Sequence, residues 1–267
     1  MTAWPDRTLI SVPPLREAED LASELRRAFA RGPDAEVARC DLKTMCAVGG
    51  FSVHVATISA PDRHEALLIP KSSEGFDVIV SPLAGDFPKD HPTVRHRLRF
   101  RIAHEIAHSF FYDRRHSPAK RMIAGSAAEE EFCDRFASAL LVPQRFIQTV
   151  EPTAPNVLWL QRSFDVSAQV AGRALALARP EASVVGLLHR ANPATNKEVG
   201  WRITWSAGSR FLPNHARISS EVVEQGAATG RAEGPQELNI GSAKGRFFVS
   251  AAMNKGARQL IVVFTPI

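Results

Sequence analysis

Apolar residues recur at three- and four-residue steps from Pro14 to Ala30, at Leu15, Ala18, Leu21, Leu25 and Ala28. That is the spacing of an amphipathic helix, and Pro14 suits its first turn. From Gly50 the pattern shortens to the runs FSVHVATI, EALLIP and FDVIVSP, separated by Pro61–His64 and Ser72–Gly75. Short apolar runs between turn formers predict a small antiparallel sheet. After a break at Asp90–Pro92, the positions Val94, Leu98, Phe100, Ile102, Ala103 and Ile106 carry a helix from Thr93, and a second helix spans about Ala127 to Leu141, stopped by Pro143. Two prolines within Glu151–Pro155 mark a boundary. Beyond it, WLQRSFDVSAQVAGRALALA predicts one helix ending near Phe164 and another opened by Ser167, whose hydroxyl can cap the next turn. After Pro180 the runs SVVGLLHRA, VGWRITW, GRFFVSAAM and RQLIVVFTPI read as strands.

These patterns predict an α+β chain in three parts: a catalytic-sized domain over 1–150, a helix pair over 151–182 and a small α/β or β-rich domain over 183–267. With 267 residues, 45% of them hydrophobic and 23% charged, the chain is long enough for a buried core and too apolar for a disordered one. No apolar run approaches the roughly 20 residues that a membrane span needs, and the first residues lack the apolar centre of a secretory signal. Three scattered cysteines do not make a disulfide framework. A cytoplasmic protein without membrane contact is the expectation. The net charge of +5 includes two arginine clusters, Arg26, Arg27 and Arg31, and Arg95, Arg97, Arg99 and Arg101. Solvated helix faces account for them most simply, with a weak nucleic-acid contact as the alternative.

The segment HEIAH holds the chemistry. His104 and His108 are four residues apart, so on a helix both imidazoles lie on one face, one turn from each other, as two ligands of one metal ion require. Glu105 follows the first histidine, beside the pair, where it can act as catalytic base without occupying the metal. A third ligand completes the set. The glycine and histidine that a metzincin pattern requires are replaced by Phe111 and Arg114, and His116 would need an irregular path out of the helix. The helix opening with Glu129, Glu130 and Glu131 offers carboxylates instead. Glu130 is preferred because Asp134, four residues on, shares its face and can accept the remaining N–H of a ligating histidine. Cys133 is expected to point away and serve as packing. Two histidines, one carboxylate and an open position describe a catalytic Zn2+ site suited to amide hydrolysis, with Glu105 moving the proton. Tyr112, His116 and His91 are unranked candidates for stabilising the oxyanion.

Arg99 and Phe100 ahead of Ala103, then HEIAH, then E-x-x-C-D from Glu130 to Asp134, Phe136, Ala137 and LLVP at Leu140–Pro143 together resemble the ImmA/IrrE metallo-endopeptidases, in the longer, IrrE-like form. Val142 replaces a usual methionine, and Ala107 a frequent glycine or serine; neither removes a ligand. The resemblance implies a zincin-like peptidase domain that cleaves an XRE-type helix-turn-helix repressor, derepressing stress-response or mobile-element genes. It also implies a helix-turn-helix-like piece at Leu158–Leu177, carried by Phe164–Ser167 and Arg173, and more weakly a GAF-like sensor at the C-terminus. The second helix of that pair offers few base-reading side chains beyond Gln169 and Arg173, so packing is its simpler role. A DNA-binding regulator with an idle peptidase site is the competing function.

Overall fold

Side-chain caps set several helix ends in the computed structural model, which describes residues 4–29, 38–56, 58, 65–81, 92–191, 198–208, 212–218, 220–241, 243–255 and 258–267. The expected turn at Pro61–His64, His91, and Arg31 lie outside the described residues. The chain divides into two compact units, Met1–Pro143 and Gln144–Ile267.

In the first unit the elements run α1 (Leu15–Phe29), α2 (Leu42–Gly49), β1 (Phe51–Val55), β2 (Ala66–Pro70), β3 (Phe76–Val80), α3 (Pro92–His108), a 3-10 turn (Ser109–Phe111), β4 (Tyr112–Asp113), β5 (Lys120–Arg121) and α4 (Ala127–Leu141). Asp41 caps α2 by accepting from the Thr44 amide, and Ser126 caps α4 by accepting from the Glu129 amide at 3.2 Å. α4 ends at Leu141, with Val142 as its cap ahead of Pro143. The apolar stripe of α1 and the fully buried Phe132, Phe136, Ala137 and Leu140 of α4 meet where α4 packs on α1 and α3. Burying each phenylalanine or leucine among them is worth about 1.5–3 kcal/mol over leaving it exposed.

The sheet has the order β1-β3-β2. β2 and β3 pair antiparallel, as the alternation predicts, whereas β1 runs parallel to β3, with Phe51 opposite Phe76. β2 therefore becomes an edge strand. Two glycines in the left-handed region lie where β1 and β3 begin side by side: Gly50 (φ 73°) ends α2, and Gly75 (φ 96°) ends the β2–β3 turn against it. The Phe76 amide donates to the Gly50 carbonyl at 2.9 Å, and a Cβ on Gly75 would collide with that carbonyl. Gly75→Ala is expected to lower stability by more than about 1 kcal/mol, as strained glycine replacements do; the midpoint of urea unfolding measures it.

Three of the four arginines of α3 are tied to other elements. Arg97 and Arg101 both reach Glu65, and Arg101 also donates to the Ser81 carbonyl at 2.9 Å. Arg99 donates to the Cys40 carbonyl at 3.1 Å, and Arg26, from the other cluster, is buried with a 2.6 Å bond to the Leu140 carbonyl. These guanidiniums satisfy carbonyls and one carboxylate, tying helices to the sheet and to each other.

The second unit comprises α5 (Gln144–Ile147), α6 (Ala154–Phe164), α7 (Ala168–Ala178), β6 (Ser183–Ala191), β7 (Glu198–Ala207), α8 (Glu221–Thr229), β8 (Arg231–Ile240), β9 (Ala243–Asn254) and β10 (Gln259–Pro266). Its five strands pair antiparallel throughout in the order β7-β6-β10-β9-β8. Ser167 caps α7 through the Val170 amide, as its position in the sequence suggests. α7 lays Val170, Ala171, Ala174 and Leu175 inward and packs on β6 and β7, with Gly172 against the Trp205 ring; Arg173 faces solvent. α8 and β8 carry no clear pattern in the sequence. β8 contains Gly234 and Pro235, which a central strand would reject, but it lies at the sheet edge where a missing N–H costs little.

Candidate metal centre

α3 and α4 pack side by side, and their polar faces meet in a cleft of about 380 Å³. Ile106 and Ala107 within HEIAH are fully buried, which turns His104, Glu105 and His108 toward that cleft. The two imidazole Nε2 atoms lie 3.0 Å apart. Glu130 joins them from α4, one carboxylate oxygen 3.2 Å from His104 Nε2 and the other 3.5 Å from His108 Nε2. Three donor groups from two helices thus converge on one point. Glu105 is 5% exposed and lines the same cleft. Asp134, one helical turn beyond Glu130, accepts from His104 Nδ1 at 3.0 Å.

The outer nitrogen of His108 finds a partner that the sequence pattern does not single out. Its Nδ1 donates to Glu129 Oε1 at 2.6 Å, and Glu129 is fully buried. Arg121 Nη2 closes on both oxygens of that carboxylate, at 2.7 and 2.8 Å. One available sign was the box Ser126-x-x-Glu129, which fixes the Glu129 backbone at the start of α4. Arg121 had none, because its place depends on the two-residue hairpin of β4 and β5.

Cys133 differs from expectation. Its Sγ lies 3.5 Å from His108 Nδ1, so it faces the site instead of pointing away. Residues three and four apart share a helix face, and Cys133 stands in that relation to both Glu129 and Glu130. His104, His108 and Cys133 accordingly form a group able to approach one ion. The two sets use opposite sides of the His108 ring: Cys133 and Glu129 crowd Nδ1, whereas His104 and Glu130 gather at Nε2.

Electrostatics follow from this crowding. Burial opposes charge on both rings, yet hydrogen bonds outweigh it. Asp134 and Glu130 hold His104, and Cys133, Glu129 and Glu130 hold His108, above imidazole's ordinary range. The same pair of bonds holds Glu130 well below the usual carboxylate range. Burial pushes the Cys133 thiol up to about 11. A nest of carboxylates that keeps two buried histidines attractive to protons will also attract a divalent cation.

Of the oxyanion candidates, Tyr112 is buried with its hydroxyl accepting from Arg121 Nη1 at 3.2 Å, and His116 is exposed beside Asp113. Neither lines the cleft, whose cationic side chains are Arg101 and Arg121.

Comparison with known proteins agrees with these two helices. Residues 93–176 match the Peptidase M78 family, described as the IrrE N-terminal-like domain. The match takes in α4, α6 and nearly all of α3 and α7. An IrrE N-terminal-like domain is metallopeptidase-like and zincin-like in fold, which is the α+β class expected from the pattern of elements. Among solved structures, one described as a Mycobacterium tuberculosis transcriptional regulator aligns at 15% identity over 94% of this chain and 76% of that one, with a TM-score of 0.46. A search of curated proteins finds no match. Among the described residues, no helix is long and apolar enough to cross a membrane.

Proposed function

We propose that this chain is a zinc-dependent regulatory endopeptidase whose metal is held by His104, His108 and Glu130, with Glu105 as catalytic base. The observation that carries it is the convergence of two Nε2 atoms and one carboxylate within 3.0–3.5 Å, beside a buried glutamate in an open cleft. Two nitrogens and one carboxylate, with room for a fourth position, suit zinc in a catalytic setting. Zinc bound there would polarise the scissile carbonyl and make water acidic enough to react near neutral pH. Glu105 takes a proton from the attacking water and delivers it to the departing amine, so water adds across the amide and no covalent enzyme intermediate forms. Asp134 holds the His104 ring with Nε2 inward. Ala66, Leu67 and Leu68 of β2 form one wall of the cleft, and β2 lies at the sheet edge. An extended substrate segment can therefore add to the sheet by main-chain pairing, which places its amide across the cleft.

The substrate we propose is a helix-turn-helix repressor of the XRE type, in line with the ImmA/IrrE resemblance. Its cleavage would derepress stress-response or mobile-element genes in the cytoplasm, with the C-terminal unit supplying a GAF-like sensor. The test is to incubate the purified chain with the small helix-turn-helix protein encoded beside it, with and without chelator. Chelator-sensitive cleavage by zinc-containing protein is the expected result. Protein that holds no zinc, or cleavage that persists after zinc is removed, would overturn the proposal.

Zinc uptake is expected to release protons at pH 7, because the metal requires both rings unprotonated at Nε2 while the surrounding carboxylates favour the protonated pair. Calorimetry in buffers of different ionisation enthalpy reads the number released; uptake without proton release would contradict the site. The sign in the metal-free chain is opposite. Raised histidine pKa values stabilise the fold fully below about 6.5 and progressively less as pH rises through them, while the depressed Glu130 stabilises it above about 4.3. Metal-free protein gains most from this cluster between those two values, and zinc shifts the optimum upward.

A further inference from the structure

We infer that Arg121 and Glu129 form a positioning relay for His108, so that a side chain on the β4–β5 hairpin, touching no metal ligand, sets the zinc affinity of the site. The inference rests on His108 being a zinc ligand. Glu129 has two carboxylate oxygens and no solvent to share them with. Oε1 accepts from His108 Nδ1 at 2.6 Å and from Arg121 at 2.7 Å; Oε2 accepts from Arg121 at 2.8 Å. Arg121 is fixed in turn. Its Nε donates to the Ile123 carbonyl at 2.9 Å, its Nη1 donates to the Tyr112 hydroxyl at 3.2 Å, and its guanidinium lies 5.4 Å from the centre of the Tyr112 ring. Tyr112 and Arg121 are paired across the hairpin, so the same backbone register that makes β4 and β5 holds both ends of the clamp.

The geometry fixes a tautomer. A carboxylate at Nδ1 keeps the proton there, so Nε2, which faces His104 and Glu130, is the nitrogen that gives up its proton when the ring ligates metal. Cys133 Sγ lies on the Nδ1 side at 3.5 Å and is the weaker partner of that nitrogen. The two histidines thus have separate orienting carboxylates, Asp134 for His104 and Glu129 for His108. They differ in surroundings: the Asp134 side chain is 49% exposed, whereas Glu129 is fully buried and needs Arg121 as its counter-charge.

A simple charge effect and a positioning effect predict opposite signs for Arg121. Deleting a cation near a Zn2+ site by Coulomb's law alone would tighten zinc binding. Releasing the clamp on Glu129 would weaken it. The experiment is a zinc titration of the full chain against a chromophoric chelator, for wild type, Glu129→Gln, Arg121→Met and the double variant, with circular dichroism as the control for folding. Glu129→Gln is expected to weaken zinc binding about 10–100-fold, the usual range for a lost orienting partner. Arg121→Met should weaken it in the same direction, and the double variant should be no weaker than Glu129→Gln, because both changes break one chain of bonds. The downfield Nδ1 proton resonance of His108 in the zinc-loaded protein should disappear in Glu129→Gln. Wild-type affinity in Glu129→Gln, or tighter binding in Arg121→Met, would overturn the relay. Should Glu129→Gln fail to fold, Arg121→Met decides alone, by the direction of its change. A wild-type chain that binds no zinc would instead remove the metal site itself.

Discussion

Glu105→Gln is expected to fold, to hold zinc as the wild type does, and to cleave its repressor roughly 10²–10⁴-fold more slowly. The amide has nearly the shape of the carboxylate but cannot accept the water's proton. Since Glu105 lines the cleft without belonging to the converging donor set, metal content should not change. The loss should appear in kcat, with KM little altered, because proton transfer matters in the transition state and not in substrate binding. Single-turnover cleavage by zinc-loaded protein measures it. A variant that cleaves at the wild-type rate would remove Glu105 from the chemistry, and one that loses zinc would place it among the ligands.

The second large effect separates the two candidate ligand sets. Glu130→Gln is expected to weaken zinc binding by more than about 100-fold, beyond the usual cost of an outer partner. Cys133→Ala should leave it within a few-fold of wild type. Glu130 faces both Nε2 atoms, whereas Cys133 approaches His108 only through Nδ1, the nitrogen that Glu129 already occupies at 2.6 Å. A thiol pushed up to about 11 must also lose its proton before it can ligate. The reverse ranking, with Cys133→Ala losing zinc and Glu130→Gln keeping it, would mean that the metal sits on the other side of the ring.

A good part of the fold is legible in the chain because its causes are local. α4 spans the residues that its apolar spacing and Pro143 predict, and Ser167 caps α7 through a bond to the amide three residues on. The pairing of His104 with His108, and of Glu130 with Asp134, follows from helical period alone. What failed to show is what depends on neighbours distant in sequence. α2 and α8 are short, with eight and nine residues, and their pattern is too brief to stand out. β8 became visible as a strand only beside β9, since an edge position tolerates the Pro235 that its pattern seems to forbid. The arginines of α3 read as a solvent face, yet Arg97, Arg99 and Arg101 find partners in Glu65, Ser81 and Cys40, which come from other elements.

The same division runs through the site. By itself the sequence determined which groups share a helix face: two imidazoles with a glutamate beside them, and a carboxylate with an aspartate one turn on. Only the tertiary structure decided how those faces meet, because the packing of α3 on α4 sets which oxygen reaches which nitrogen. That packing put Cys133 and Glu129 against the back of His108 and brought Arg121 from the hairpin to hold Glu129. Helical period is a property of one segment, whereas the angle and register between two segments depend on every side chain buried between them.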